Sequence, residues 1–347
     1  MRFISDKIRG LTRKEKILWV LAVLFVTALA LLPMVINVDV SYIGYYVFLT
    51  CIYLTIAQGW NIIGGYTGQV SLGQNAFFGL GAYVTAGMWV HGIGLYFFFD
   101  FVLMLSAGIV PAIIAAIIGI PLLARLRGDY FAFGTLGFAM IILVLFLKGG
   151  TLTGGAFGVR LDSSVFNGML IYYWVGLTVA TLCTLAVYFV TRSRIGLALR
   201  AIREDEISAA SHGVSVLRYK VIAFMIGSFM AGVAGSIYAY YLFDVKPDDV
   251  FNMNWLFYPI LIVVLGGTGT VFGPVIGAFI VSALFAYGDI YFAGYHPIVS
   301  GLLIILVMLF MPEGLMGVAV RVPKLWHRAP ALAEGAETAT GPERPRS

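Results

Sequence analysis

The residues best suited to chemistry begin with a glycine-rich stretch, GGYTGQVSLGQN, at positions 64–75. The polar side chains of interest there are Gln69, Ser71, Gln74 and Asn75. With the neighbouring threonine they put five polar side chains within nine residues, more than packing requires. We interpret them as lining a translocation path or supporting its gate. The alternative is helix packing, because Gly64 and Gly68 have small-xxx-small spacing.

A second candidate is the charged stretch 192–220, which carries six basic residues and the acidic triplet 204–206. The absence of Gly and Pro from 197–212 predicts one helix of about four turns. Gly213 follows where a left-handed C-terminal cap would close that helix. We interpret the helix as a docking surface for a cytoplasmic partner that supplies energy. Its apolar face would comprise Ile195, Leu199, Ile202 and Ala209.

The alternative for this stretch is an ordinary solvated connection. Pairs such as Arg200 with Glu204 and Arg203 with Glu206 would then contribute roughly 0.3–0.5 kcal/mol each.

Both stretches must be positioned by membrane-spanning helices, because 61% of the chain is apolar and only 11% is charged. A soluble domain carries about 25% charged residues. The composition therefore predicts an all-α polytopic membrane protein with broken or re-entrant segments. Cys51 and Cys183 lie in apolar runs and are expected to pack rather than to form a disulfide, and the four scattered histidines predict no metal site. The net charge of +5 is attributed to membrane orientation, not to nucleic-acid binding.

Span boundaries follow from the uncharged runs, since about 20 residues cross a bilayer. We predict about ten spans, at 17–36, 42–63, 75–91, 101–124, 130–147, 168–191, 221–243, 254–266, 271–288 and 296–312. One or both of the eighth and ninth spans are expected to be short or re-entrant, and they flank a second glycine-rich break at 266–274. We expect residues 1–16 to form a basic N-terminus, 17–320 the transmembrane domain, and 321–347 a disordered tail.

Charge asymmetry predicts the orientation of these spans. With the N-terminus inside, nineteen of the 22 Lys and Arg residues fall in cytoplasmic segments. The three outside are Lys148, Arg160 and Lys246. This distribution follows the positive-inside rule and predicts that both termini and the 192–220 stretch are cytoplasmic.

Several classes of membrane protein are disfavoured by what the spans lack. No acid or base lies near the middle of a predicted span, whereas proton-coupled carriers usually keep ionisable residues there. The chain has no G-x-x-x-x-G-K-[ST] phosphate loop, so it is not expected to be an enzyme that hydrolyses nucleotide. These absences favour a transporter subunit that borrows its energy. A self-sufficient secondary carrier or channel is the alternative from another class.

Several motifs, in order along about residues 40–320, resemble permease subunits of branched-chain amino-acid ABC importers, especially the LivM type. They include GYTGQVSLGQNAFFGLGAY at 65–83, RGDYFAFGTLGF at 127–138 and TLTGGAFGV at 151–159. The longest, at 193–239, resembles the cytoplasmic coupling loop and the following span, and PEGLMG at 312–317 resembles the C-terminal mark.

The resemblance implies a type II-like importer permease of about ten spans in a bacterial inner membrane. Its partners would be membrane lipid, a second homologous permease, two cytoplasmic ATP-binding subunits and a periplasmic substrate-binding protein. The chain itself would bind no cofactor, since ATP and magnesium belong to the partner subunits. Glu206, Ala209, Ala210 and Gly213 match the family's ATPase-contacting loop, and Arg200, Arg203 and Glu204 are expected to join them in coupling.

One departure from the family's pattern is Gln74, where relatives often carry His. If this position touches the cargo, the cargo would differ from leucine, isoleucine or valine. Permeases for urea and short amides share much of the pattern and are the alternative for the cargo.

Overall fold

The structure is a computed structural model that describes residues 13–93, 100–126, 128–150, 153–163, 166, 168–291 and scattered positions between 298 and 316. Its helices, in chain order, are α1 (Arg13–Val35), α2 (Tyr42–Trp60), α3 (Gln74–Val90), α4 (Phe101–Arg125), α5 (Asp129–Lys148), α6 (Met169–Thr191), α7 (Arg194–Glu204), α8 (Glu206–Ser211), α9 (Val216–Leu242), α10 (Pro247–Val250), α11 (Asn254–Gly266) and α12 (Gly273–Tyr291). Two short strands, β1 (Val159–Arg160) and β2 (Asp244–Val245), pair antiparallel.

The described part of the chain contains six segments that are long and apolar enough to cross a membrane. They are Tyr42–Gly65, Phe101–Arg125, Asp129–Lys148, Met169–Thr191, Val216–Leu242 and Pro247–Gly266. Trp19–Val35 and Gly273–Ala286 are shorter apolar helices. The chain is an all-α multi-pass membrane protein, which confirms the predicted fold class. The span count of ten stays a prediction, because most of the tenth span, at 296–312, lies outside the described residues. The predictions for residues 1–12 and for the tail at 321–347 lie wholly outside them.

Helix α9 runs through the centre of the bundle and packs closely against α3 and α4. Small residues allow this approach. A Cβ atom at Gly235 would lie 2.0 Å from the carbonyl oxygen of Phe78, and one at Gly232 would lie 2.1 Å from that of Ala107. Such backbone-to-backbone packing is typical of membrane helices. The hydrophobic driving force between helices is absent in lipid, and small residues allow the close van der Waals packing that takes its place. It makes α9 the scaffold for the polar residues at its N-terminal end.

The predicted break at 64–75 is present between α2 and α3. Helix α2 widens into a π-helical turn at Asn61–Gly65, in which the amide of Tyr66 donates to the carbonyl of Asn61. The chain then passes Gly68, whose φ of 71° favours glycine, before α3 begins at Gln74. The second predicted break separates α11 from α12 and contains Gly267 and Gly269, with φ of 126° and 72°.

The charged stretch differs from its prediction as one continuous helix. It forms α7 and α8, separated by Asp205, which has extended φ and ψ angles of −159° and 118°. The carboxylate of Asp205 accepts a hydrogen bond of 2.6 Å from the amide of Ser208, so the residue caps the start of α8. This cap competes with continuation of α7. The predicted left-handed cap at Gly213 is confirmed by its φ of 82°.

Candidate functional site

The polar side chains of the first break are covered by protein. Gln69, Ser71, Gln74 and Asn75 are at most 6% exposed. Neither lipid nor bulk water therefore satisfies their polar groups, and the hydrogen bonds must be found within the molecule. Ser71 is held locally, because its carbonyl accepts a bond of 2.8 Å from the indole nitrogen of Trp60.

The three amides of this group donate to three different elements. Gln74 Nε2 lies 2.8 Å from the carbonyl oxygen of Gly227 on α9. Asn75 Nδ2 lies 2.9 Å from that of Phe251, just before α11. Gln69 Nε2 lies 3.0 Å from Glu206 Oε1 on α8. Their side-chain oxygens are buried and accept no hydrogen bond from the described part of the chain. The break is thus fastened through its donors, while three acceptors are left unused.

The two breaks meet, and Asn61 joins them. Its Nδ2 donates to the carbonyl oxygen of Thr270 at 2.7 Å, and its Oδ1 accepts from the amide of Gly269 at 2.9 Å. The backbones come close here, since a Cβ atom at Gly65 would lie 2.6 Å from the amide nitrogen of Gly269. Asn61 was not among the predicted site residues. Its only sequence signal is a carboxamide in an apolar run, four residues before Gly65.

The charged stretch reaches the same junction. Arg203 Nη1 donates to the carbonyl oxygen of Gly65 at 2.6 Å, which satisfies a carbonyl at the interrupted end of α2. The guanidinium of Arg200 lies 5.8 Å from the ring centroid of Tyr66, within the range of a cation–π contact. These two predicted coupling residues therefore contact the end of α2 directly.

Glu206 is bound within the chain. Its Oε1 accepts hydrogen bonds from Gln69 and from Lys220 Nζ on α9, and the latter contact is also an ion pair. The side chain of Lys220 is only 2% exposed. Among the described residues, Glu206 therefore forms its ion pair with Lys220. The alternative in which the stretch is a solvated connection had predicted a pair with Arg203 instead. Lys220 is one of the six bases counted in the charged stretch, and no role was predicted for it.

The apolar face predicted for docking is turned inward. Leu199, Ile202 and Ala209 are buried, because their apolar surface is covered by the rest of the bundle. On α7 and α8 the large apolar side chains that are exposed are Leu197 and Ile207, at 65% and 74%. The remaining predicted coupling residues, Glu204, Ala210 and Gly213, are also exposed.

The described residues hold no group of three His, Cys, Asp or Glu side chains that could bind a metal. Cys51 and Cys183 are free and buried, which confirms their assignment as packing residues. Between β2 and α10, Lys246 Nζ lies 2.8 Å from Asp244 Oδ2, and this hydrogen bond and charge raise the pKa of the lysine.

Comparison with known proteins accounts for most of the chain. Residues 42–311 match the family described as the branched-chain amino acid transport system permease component. The chain belongs to this family. The matched residues include both breaks and the charged stretch, so the contacts between them described above lie within the family's permease component.

Individual relatives carry the same description. The chain is 32% identical to the high-affinity branched-chain amino acid transport system permease protein LivM of Salmonella typhimurium, over 91% of this chain and 78% of the relative. It is 28% identical to LivH of the same organism, over 76% of this chain and 91% of the relative. A probable LivM of Methanocaldococcus jannaschii is 25% identical over 61% of this chain and 67% of the relative. No solved structure matches.

Proposed function

We propose that this chain is a permease subunit of an ATP-driven ABC importer for branched-chain or related amino acids. It would form part of the translocation path and would work with a second, homologous permease, two cytoplasmic ATP-binding subunits and a periplasmic binding protein. The proposal rests above all on the family match over residues 42–311, which contains both breaks and the charged stretch. Similarity to both LivM and LivH relatives supports a pair of related permeases.

The arrangement of the charged stretch supports ATP-driven coupling. Helices α7 and α8 present exposed groups on one side, including Ile207 at 74%, and contact the first break on the other through Arg203 and Glu206. A partner bound to the exposed side would therefore act on residues that hold the break. ATP and magnesium would bind to that partner, so this chain is not an enzyme in the proposal.

The path assignment of Gln69, Ser71, Gln74 and Asn75 is also part of the proposal. It is supported by the three unused amide oxygens beside an unwound backbone. These acceptors are covered in this conformation, and once the break opens they would suit the ammonium group of an amino acid or the NH₂ groups of an amide. Urea and short amides are retained as an alternative cargo because of Gln74.

The decisive test is uptake by proteoliposomes that contain the chain with its sister permease, ATPases and binding protein. We expect leucine, isoleucine or valine to enter only when ATP is supplied. Uptake by the chain alone under an ion gradient would contradict the proposal and support a secondary carrier. A binding screen of the periplasmic protein that includes urea and short amides would decide the cargo.

Orientation has its own test, because the proposal places α7 and α8 in the cytoplasm of a bacterial inner membrane, with both termini on the same side. Ser211 is exposed at the end of α8. In the Ser211→Cys variant, an impermeant thiol reagent should react in inside-out vesicles and not in intact cells. The reverse result would overturn the orientation.

A further inference from the structure

The cluster formed by Glu206, Lys220 and Gln69 joins three parts of the molecule at one carboxylate oxygen. Gln69 belongs to the first break, Glu206 is the first residue of α8, and Lys220 lies in the second turn of the central helix α9. The chain separations are 137 residues from Gln69 to Glu206 and 14 residues from Glu206 to Lys220. The fold thus brings together a membrane break and a cytoplasmic helix that are distant in sequence.

Burial makes this contact difficult to break. The Lys220 side chain is 2% exposed, so its charge is not hydrated and requires a counter-charge. Glu206 provides the only ion pair to Lys220 among the described residues. If α8 moved away by itself, a buried ammonium would be left without a partner, which is strongly unfavourable. Helix α8 is therefore expected to move together with the start of α9 and with Gln69.

A second contact extends the link along α9. The carbonyl of Gly227, about two turns beyond Lys220, accepts the hydrogen bond from Gln74 near the C-terminal end of the break. The break is consequently attached to α9 at two points, once from its middle through the Glu206 cluster and once directly through Gln74. Arg203 adds a separate contact from α7 to Gly65, where the break begins.

We infer that Glu206, Lys220 and Gln69 are positioning residues that transmit displacement of α8 to the membrane break. This inference rests on the proposed function. It gives Glu206 a role inside the chain, where resemblance alone placed it against the ATPase. Contact with the partner is then left to exposed residues such as Leu197 and Ile207.

The buried lysine separates the two roles of Glu206 experimentally. Lys220 is too deeply covered to touch a partner, so its replacement should have no direct effect on docking. In the reconstituted complex, Lys220→Met, Glu206→Gln and Gln69→Leu should each leave the ATPases associated and ATP hydrolysis active. Amino-acid uptake per ATP hydrolysed should fall about 5-fold or more, the lower range of measured coupling between sites.

The matched control is Arg218→Met, which removes an exposed base two residues earlier on the same helix. It should keep the wild-type ratio of uptake to hydrolysis. Exchange of the charges in the Glu206→Lys, Lys220→Glu double variant should recover much of the lost ratio, since the ion pair and a bond to the Gln69 amide can re-form.

Membrane level and co-purification with the ATPases are measured first. If Lys220→Met does not accumulate, the Lys220→Met, Glu206→Gln double variant leaves no unpaired charge and replaces it. An unchanged ratio of uptake to hydrolysis in this variant and in Gln69→Leu would overturn the inference. So would loss of ATPase association on Glu206→Gln alone, which would indicate direct contact with the partner. Failure of the wild-type complex to take up cargo with ATP would instead refute the proposed function.

Discussion

The two glycine-rich breaks are attached to the rest of the molecule in different ways. The first sends out side-chain donors, with Gln69, Gln74 and Asn75 reaching α8, α9 and the chain before α11. The second has few polar side chains and receives donors from α2 and from the π-helical turn that follows it. Gln58 and Asn61 donate to the carbonyls of residues 271 and 270. In both cases the contacts bury unwound backbone within the protein, which a membrane requires because lipid offers no hydrogen bonds. Polar side chains that lie next to one break in the sequence can therefore donate hydrogen bonds to the backbone of the other break.

The junction of the two breaks should be the most sensitive point. In Gly65→Ala, the new Cβ would lie 2.0 Å from Asn61 Oδ1 and 2.6 Å from the backbone nitrogen of Gly269. We expect a loss of about 3 kcal/mol, the upper end for overpacking, measured as thermal unfolding in detergent. Gly87→Ala is the control, since nothing lies within 4 Å of its Cβ position and helical Gly→Ala gains about 0.5–1 kcal/mol. Equal effects of the two substitutions would contradict this prediction.

Loss of the donor to the second break should rank next. Asn61→Leu leaves the carbonyl of Thr270 and the amide of Gly269 without their partner. Unsatisfied buried groups cost about 1–3 kcal/mol each, and partial hydration of this half-buried loop favours a total near 2 kcal/mol. Thermal unfolding of the variant would measure this. A stability equal to wild type would show that the breaks are held independently.

A smaller effect is expected where the first break loses one donor. Gln74→Leu removes the bond to Gly227, whose carbonyl belongs to a helix. We expect a loss of about 1 kcal/mol, typical of one hydrogen bond. Thermal unfolding of this variant beside Asn61→Leu tests whether the first break, which has three side-chain donors, tolerates the loss of one better than the second break tolerates the loss of Asn61. A larger loss than for Asn61→Leu would reverse the comparison.

The smallest effect on stability should come from the exposed side of α8. Ile207→Ser changes a side chain that is 74% exposed, so stability should stay within about 0.5 kcal/mol. Under the proposed function the same change should weaken association with the ATPases, measured by co-purification at increasing salt. Unweakened association would move the docking surface elsewhere.

Local chemistry made part of this arrangement predictable. Clustered glycines and polar residues indicated both breaks, and Gly213 indicated the end of α8. The Asp205 break was missed, although Asp is a preferred N-cap residue and Glu206 follows it in the first turn of α8. The contacts of Asn61 and Lys220 were also missed. Asn61 binds a carbonyl 209 residues away, and Lys220 is buried only after α8 and the first break close over it, so tertiary packing alone creates both sites.

The burial of both cysteines has a practical consequence. Cys51 and Cys183 are the only thiols in the sequence, and they are 2% and 8% exposed. A polar maleimide should therefore give little background labelling of the native chain. Pairs of cysteines introduced at exposed positions of α7, α8 and the loops between the spans would then carry fluorophores or spin labels without prior removal of the natural ones. Distances between the two labels across the bundle become measurable during turnover.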